Sequence, residues 1–139
     1  MTINALFDST SNLLVKTAQL RSKKAEVIAG NIANLDTPGY KAKNFEFAEQ
    51  LQKASRQTTS SLPMTSTNVN HFGHLSNINR VRGEIVSKSN PLGGLDKNSV
   101  NLDQEMADQA INDGAYSRSM QLLKSKMAIL KNAIVEGGK

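Results

Sequence analysis

The hydrophobic positions of this 139-residue chain cluster near its two ends, where they follow the periodicity of an α-helix. Between Asn4 and Leu35 the residues on one side of such a helix alternate spacings of three and four, a heptad pattern. These positions are Phe7, Ser11, Leu14, Ala18, Arg21, Ala25, Ile28, Ile32 and Leu35, and Leu6, Leu13, Leu20 and Val27 flank them at intervals of seven. The pattern predicts one long amphipathic helix within residues 1–36, with Leu14, Ile28 and Ile32 in its packing seam.

A second helical pattern runs from about Asp103 to Val135. Its seam consists of Met120, Leu123, Met127, Leu130 and Ile134, and Leu102, Met106 and Tyr116 extend the same stripe upstream. Acidic residues in its first turn suit the positive end of the helix dipole, and Gly137-Gly138 ends the pattern. Residues 102–139 are therefore predicted to form a C-terminal amphipathic helix.

Residues 37–101 separate the two helices and are mostly polar. Thr37-Pro38-Gly39-Tyr40 fits a tight turn, because proline presets φ at its second position and glycine accepts a positive φ at its third. The polar stretch from Ser55 to Asn70 is expected to be a loop or mobile, and Val81 to Val86 alternates weakly like a strand. The predicted fold class is mainly α, with long N- and C-terminal helices in a coiled-coil-like pair and a polar, partly extended or disordered middle segment.

Composition narrows the class of protein. Hydrophobic residues make up 38% of the chain and aromatic residues 4%, which is little core material for a monomer with two long helices. The net charge of +5 is scattered without a basic run, so binding of nucleic acid is not predicted. No apolar stretch is long enough to span a membrane, no signal peptide is visible, and a chain without cysteine forms no disulfides.

No group of residues predicts catalysis, a cofactor or a metal site. His71 and His74 have a spacing that could place two ligands on one helical face, but a glycine lies between them and no third ligand is evident. Glu105 and Asp108 are expected to decorate the N-terminal end of the second helix rather than to form an acid/base pair. The chain is therefore not expected to be an enzyme.

Asn31 and Asn34 are unusual, because asparagine is a poor residue for a helix interior and these two share one face. Either they begin to fray the helix towards Pro38, or their amides bond a neighbouring chain and set the register of packed helices. The residues alone leave both interpretations open. Gly30, next to Asn31, predicts that another segment approaches the helix closely.

The segment from Ala29 to Lys41 resembles the N-terminal signature of the bacterial flagellar rod and hook proteins, in which two asparagines around an Ile-Ala pair are followed by Thr-Pro-Gly-Tyr. Within that family the chain is most similar to the B-type proximal-rod subunits, through Leu62-Pro63-Met64-Thr65 and the stretch from Leu95 to Ala107. Lys97 stands where the family usually has glycine, which argues against a positive φ at this turn. The resemblance assigns an assembly motif to Asn31, Ile32, Ala33, Asn34, Thr37, Pro38, Gly39 and Tyr40.

The resemblance implies a structural subunit of the flagellar basal-body rod, without enzymatic activity. Its terminal helices would be disordered before assembly and would then pack with those of neighbouring subunits into the drive shaft. The implied partners are other flagellar rod proteins, the protein that joins the rod to the MS ring, copies of the same chain, and the flagellar type III export gate. The chain would leave the cytoplasm through that gate without cleavage of a signal peptide.

Two other classes of protein compete with this interpretation. A helical protein that binds DNA or RNA would need a recognition-helix pattern, which the sequence lacks. A cytosolic helical adaptor or export chaperone would share the long amphipathic helices but would not need the Thr-Pro-Gly-Tyr signature.

Overall fold

The computed structural model describes residues 9–60, 77–88 and 97–137. The elements in chain order are helix α1 (Ser9–Ala33), strand β1 (Lys43–Glu46), helix α2 (Ala48–Ser60), a short 3₁₀ helix (Asn77–Arg80), strand β2 (Glu84–Ser87) and helix α3 (Leu102–Glu136). The predicted mainly α class with two long terminal helices is confirmed. Within the described ranges, no helix combines the length and the apolar character needed to cross a membrane.

Helix α1 ends at Ala33, two residues before the predicted stop at Leu35. The turn that follows has the expected geometry: Gly39 has a φ of 73°, and the Tyr40 N–H donates to the Thr37 carbonyl at 3.3 Å. Proline at the second position and glycine at the third therefore reverse the chain as the sequence predicts. The reversal brings strand β1 back alongside the last turns of α1.

One face of α1 packs against a hydrophobic core that the middle of the chain supplies. The flanking positions Leu13, Leu20 and Val27 all belong to this contact, which explains their interval of seven. The buried residues of the core are Leu20, Phe45, Phe47, Ala54, Ile78 and Val81. The described part of the middle segment is therefore more ordered than its polar composition indicates.

The other face of α1 packs against α3, and the two helices are antiparallel. Asn31 near the end of α1 bonds Glu105 in the first turn of α3, and Arg21 bonds Asn112 two turns further along α3. The wide apolar face predicted for α1 is thus divided between two neighbours, the core and α3.

Strands β1 and β2 form an antiparallel pair in which Phe45 lies opposite Ile85. Gly83, just before β2, has a φ of 69°, and a Cβ at this position would overlap the Phe45 ring. Glycine is required here for both reasons, because it alone accepts this conformation cheaply and leaves room for the buried ring.

Two predictions for the middle segment need correction. Residues Ser55–Ser60, expected to be a loop, are the second half of α2, because Leu51 and Ala54 anchor this helix in the core. The remainder of that stretch, and His71 and His74, lie outside the described residues. The expected strand begins at Glu84 rather than at Val81, whose side chain is buried in the core instead.

The close approach of another segment expected at Gly30 is not found among the described residues. A Cβ added there would meet no atom within 4 Å, and the same is true of Gly114 in α3. Neither glycine is explained by packing between the described elements.

Candidate assembly site

Asn31 is the centre of a buried polar cluster at the end of α1. Its Nδ2 donates to the Lys43 carbonyl at 2.7 Å and to Glu105 Oε2 at 3.0 Å. Its Oδ1 accepts from the Lys43 N–H at 2.9 Å and from the Tyr40 hydroxyl at 3.3 Å. An asparagine amide offers two donor hydrogens and two acceptor lone pairs, so all four are used within the chain.

These contacts match neither of the two interpretations of Asn31: it does not fray the helix, and its partners lie in its own chain. The expectation that its amide bonds a neighbouring chain is wrong, because the side chain is fully buried and every hydrogen-bonding position is occupied by its own chain. It sets a register nevertheless: the contact with Glu105 fixes α3 against α1, and the two contacts with Lys43 fix the start of β1 against α1.

Asn34 completes the end of α1 locally. Its Nδ2 donates to the Gly30 carbonyl at 2.8 Å, and its Oδ1 accepts from the Thr37 hydroxyl at 3.2 Å. Both bonds connect the last helical turn to the Thr-Pro-Gly-Tyr turn, which corresponds to the helix-end interpretation of this residue.

Glu105 is the residue of this cluster whose burial was not predicted from the sequence. It does not decorate the helix terminus: it is only 2% exposed, and its Oε1 accepts from Lys88 Nζ at 2.8 Å while its Oε2 accepts from Asn31. Lys88 also donates to Asp108 Oδ2 at 2.9 Å. We call Asn31, Lys88, Glu105 and Asp108 the polar lock, because the four residues join α1, the end of β2 and the start of α3.

The charge on Lys88 is stabilised by this arrangement. Burial of the ammonium acts to lower the pKa of Lys88, but the hydrogen bonds and negative charges of Glu105 and Asp108 outweigh it, so the net shift of the pKa is upward. The buried Glu105 carboxylate is thus hydrogen-bonded on both oxygens, as a buried charge requires.

The segment before α3 closes the site from the other side. Asn98 Nδ2 lies 3.0 Å from the Asn34 carbonyl, 2.6 Å from that of Leu35 and 3.0 Å from that of Thr37. These three carbonyls belong to the residues that follow α1, so Asn98 ties the turn after α1 to the segment before α3. Ser99 extends the contact, since its Oγ accepts from the Ala42 N–H at 2.7 Å.

Lys97 adopts the positive φ that the sequence argued against, with φ 55°. The left-handed conformation costs a non-glycine residue of order 1–3 kcal/mol unless its surroundings determine it. The contacts made by Asn98 and Ser99 immediately after it supply that determination.

Between the polar lock and the first described turn of α1, the contact between α1 and α3 is mostly polar. Asn112 Nδ2 donates to the Arg21 carbonyl at 2.9 Å, and the Arg21 guanidinium lies 5.8 Å from the centre of the Phe47 ring. Ser11 and Ser119 are also buried, one on each helix. Leu102, Met106 and Tyr116 of the predicted upstream stripe are exposed in this chain, because Glu105, Asn112 and Ser119 occupy the face of α3 towards α1.

The predicted seam residues fall into two groups. Ile28 is buried, and Leu14, Ile32, Leu123, Met127 and Leu130 are half-buried. Met120 and Ile134 are exposed. Of the assembly motif, Ala33, Thr37, Pro38 and Gly39 lie on the surface, where they are accessible to neighbouring chains.

A further set of apolar residues on α3 is left uncovered. Ile111, Leu122 and Ile129 are 69%, 59% and 68% exposed and lie on one face of the helix, away from the contact with α1. Large apolar residues aligned in this way mark an interaction surface more often than isolated ones do. Among the described residues, no group of three or more His, Asp or Glu side chains could hold a metal ion.

A long antiparallel helix pair with an uncovered apolar face suits a subunit that assembles with other chains. Comparison with known proteins agrees: the profile of a family described as flagella basal body rod protein matches residues 12–41, which include most of α1 and the turn after it.

Relatives of the chain extend the match to nearly its whole length. The flagellar basal body rod protein FlgB of Escherichia coli K12 is 30% identical over 133 residues, which cover 94% of this chain and 96% of that protein. FlgB of Aeromonas hydrophila is 33% identical over 130 residues, with 92% and 94% covered, and FlgB of Salmonella typhimurium is 28% identical over 134 residues, with 94% and 96% covered. The chain belongs to the FlgB family of flagellar basal body rod proteins, and it is a structural subunit of that rod.

Proposed function

We propose that this subunit polymerises in the proximal part of the rod through its terminal helices and so forms part of the drive shaft. The observation that carries the proposal is that the seam of α3 is incompletely covered by its own chain: Leu123, Met127 and Leu130 are half-buried, and Met120 and Ile134 are exposed. A rod subunit needs such a surface, whereas a monomer of this composition gains nothing by exposing it.

We divide the chain into three parts according to the contacts between its elements. Residues 1–36 and 102–139 are the assembling helices, and residues 37–101 form a middle part that docks on α1 through the core around Phe45 and Phe47. The polar lock holds the three parts in one arrangement. The assembly motif then acts in two ways: Asn31 and Asn34 shape the end of α1, and Ala33, Thr37, Pro38 and Gly39 are offered to neighbours.

The partners proposed are other rod proteins, copies of this chain, and the protein that joins the rod to the MS ring. Export would take place through the flagellar type III gate, without removal of N-terminal residues. The lock supports this proposal, since its contacts are hydrogen bonds and ion pairs that can form again after an unfolded chain has passed the gate, and no disulfide is involved.

The seam of α3 provides the test. Leu123 and Leu130 are half-buried in this chain, and a neighbour that completes their burial would raise the cost of Leu→Ala to about 2–5 kcal/mol each, whereas a change on an exposed surface stays within about 0.5 kcal/mol. Leu123→Ala with Leu130→Ala should therefore block incorporation into the rod, measured as the amount of the chain in purified basal bodies. The matched control, Lys124→Ala with Lys131→Ala, changes the next residues along the helix and should be tolerated.

Two results would overturn the proposal. An essential lysine pair with a dispensable leucine pair would mean that the seam is not the assembly surface. A chain that stays in the cytosol while basal bodies form normally would favour an adaptor or export chaperone. Mass spectrometry of the chain from basal bodies tests the export proposal, which expects its N-terminal residues to be retained.

A further inference from the structure

Helix α3 carries an exposed stripe in which one charge lies among apolar residues. The residues are Ile111, Arg118, Leu122 and Ile129, all exposed, and we call them the α3 outer stripe. Successive members are seven, four and seven residues apart. In a helix with 3.6 residues per turn, these spacings place all four residues on one narrow face. This stripe is distinct from the seam, whose Leu123, Met127 and Leu130 are half-buried.

Helix α1 carries an exposed stripe with the same spacings. Its residues are Val15, Ser22, Glu26 and Ala33, which we call the α1 outer stripe. It faces neither the core, which contacts Leu13, Leu20 and Val27, nor α3, which contacts Asn31 and Arg21. Its members are smaller than those of the α3 outer stripe, and its only charge is negative.

We propose that the α1 outer stripe of one copy packs antiparallel on the α3 outer stripe of a second copy, with Glu26 of the first bonded to Arg118 of the second. The proposal rests on the proposed function and specifies one contact by which the rod subunits associate. It pairs each large residue of α3 with a smaller one of α1: Ile111 with Ala33, Leu122 with Ser22, and Ile129 with Val15.

The antiparallel direction follows from the positions of the charges. Ile129 lies eleven residues after Arg118, so an antiparallel partner presents Val15, eleven residues before Glu26. A parallel partner would present position 37, which lies beyond the end of α1 at Ala33. Only the antiparallel arrangement therefore covers all three apolar residues of the α3 outer stripe.

The surroundings of Arg118 are positively charged. Burial, and then the positive charge of Arg118, lower the pKa of Arg21, so Arg118 lies near a second cation. Neither Glu26 nor Arg118 takes part in an ion pair with another described residue. A carboxylate supplied by a neighbour would compensate this local positive charge.

The contact has the form needed for a polymer. Two different surfaces meet, so the interface is head-to-tail, and such interfaces build rings or open helical assemblies rather than closed dimers. Each α3 would then lie between α1 of its own chain and α1 of the next copy, antiparallel to both.

A charge exchange tests the pairing. Glu26→Arg alone and Arg118→Glu alone should each reduce incorporation into purified basal bodies at least about tenfold, because like charges then face each other. The double variant Glu26→Arg with Arg118→Glu should restore incorporation to within a few-fold of the wild type. Lys124→Glu, a charge reversal elsewhere on the exposed surface of α3, is the control and should be tolerated.

Disulfide trapping identifies the occupant, since the chain has no cysteine of its own. Cells that express a Glu26→Cys copy and a differently tagged Arg118→Cys copy should yield a crosslinked dimer with both tags. A double variant no better than the worse single variant, single variants that assemble normally, or a crosslink to another rod protein would each overturn the proposal. The leucine pair of the α3 seam would still test rod assembly itself, so the two failures are distinguishable.

Discussion

Glu105 offers the sharpest test of how the polar lock holds α1 and α3 together. Its carboxylate is buried and accepts hydrogen bonds from Asn31 at 3.0 Å and from Lys88 at 2.8 Å. Glu105→Ala removes both acceptors without adding a group that could replace them. The effect should therefore appear in the stability of the isolated chain, before any neighbour is involved.

The expected loss of stability in Glu105→Ala follows from the contacts that Asn31 and Lys88 lose. Asn31 keeps a buried donor without an acceptor, which costs about 1–3 kcal/mol. Breaking a fully buried ion pair costs about 3–5 kcal/mol, but the loss at Lys88 should be smaller because its ammonium is partly exposed and keeps Asp108. We expect Glu105→Ala to lower the free energy of unfolding by about 3 kcal/mol in total.

Urea unfolding followed by circular dichroism measures this difference. Asp103→Ala is the matched control, because Asp103 lies in the same first turn but is exposed, so it reports only the helix-dipole contribution of about 0.3–1 kcal/mol. Glu105→Gln should fall between the two, since a carboxamide presents an acceptor to only one of the two donors. If Glu105→Ala destabilises the chain no more than Asp103→Ala does, the lock does not hold the helices together.

Two further predictions concern pH and local stability. The pKa of Lys88 is raised in the folded chain, so the stabilising effect of the Lys88 charge is fully present below the unfolded pKa of 10.5 and is lost as the pH rises through the folded pKa. The wild type should therefore lose more stability than Lys88→Met over this alkaline range. Equal losses would contradict a raised pKa of Lys88. In dilute protein, amide hydrogen exchange should be fast from Met120 to Ile134, where α3 has many exposed apolar residues. It should be slower around Leu20, which lies in the core. Strong protection of both segments would mean that α3 is stable without neighbours.

The long helices could be predicted from the sequence because their signals are local. A seam that alternates three and four identifies α1 and α3, Pro38 and Gly39 identify the turn after α1, and Gly137 marks the end of α3. Each of these signals acts through backbone geometry within a few residues, so no knowledge of distant partners is needed.

The hydrophobic core and the polar lock could not be predicted in the same way. Phe45, Ala54, Ile78 and Val81 meet from separate short segments, and Ala54 lies in a helix whose composition resembles a loop. Glu105 has the position of an ordinary residue at a helix N-terminus.

The burial of Glu105 depends on Asn31, 74 positions earlier, and on Lys88 at the end of β2. For this reason the residues alone leave the partner of Asn31 undetermined, and only the structure shows that it lies in the same chain.

A cryo-EM reconstruction of the intact basal body tests the central claim most directly. It should show this subunit in the proximal rod, with α3 packed on its own α1 through the contact between Asn31 and Glu105 and with the α3 outer stripe, including Leu122, covered by a neighbouring chain. A rod in which the terminal helices of this subunit point away from its neighbours, with Leu122 in solvent, would contradict the account.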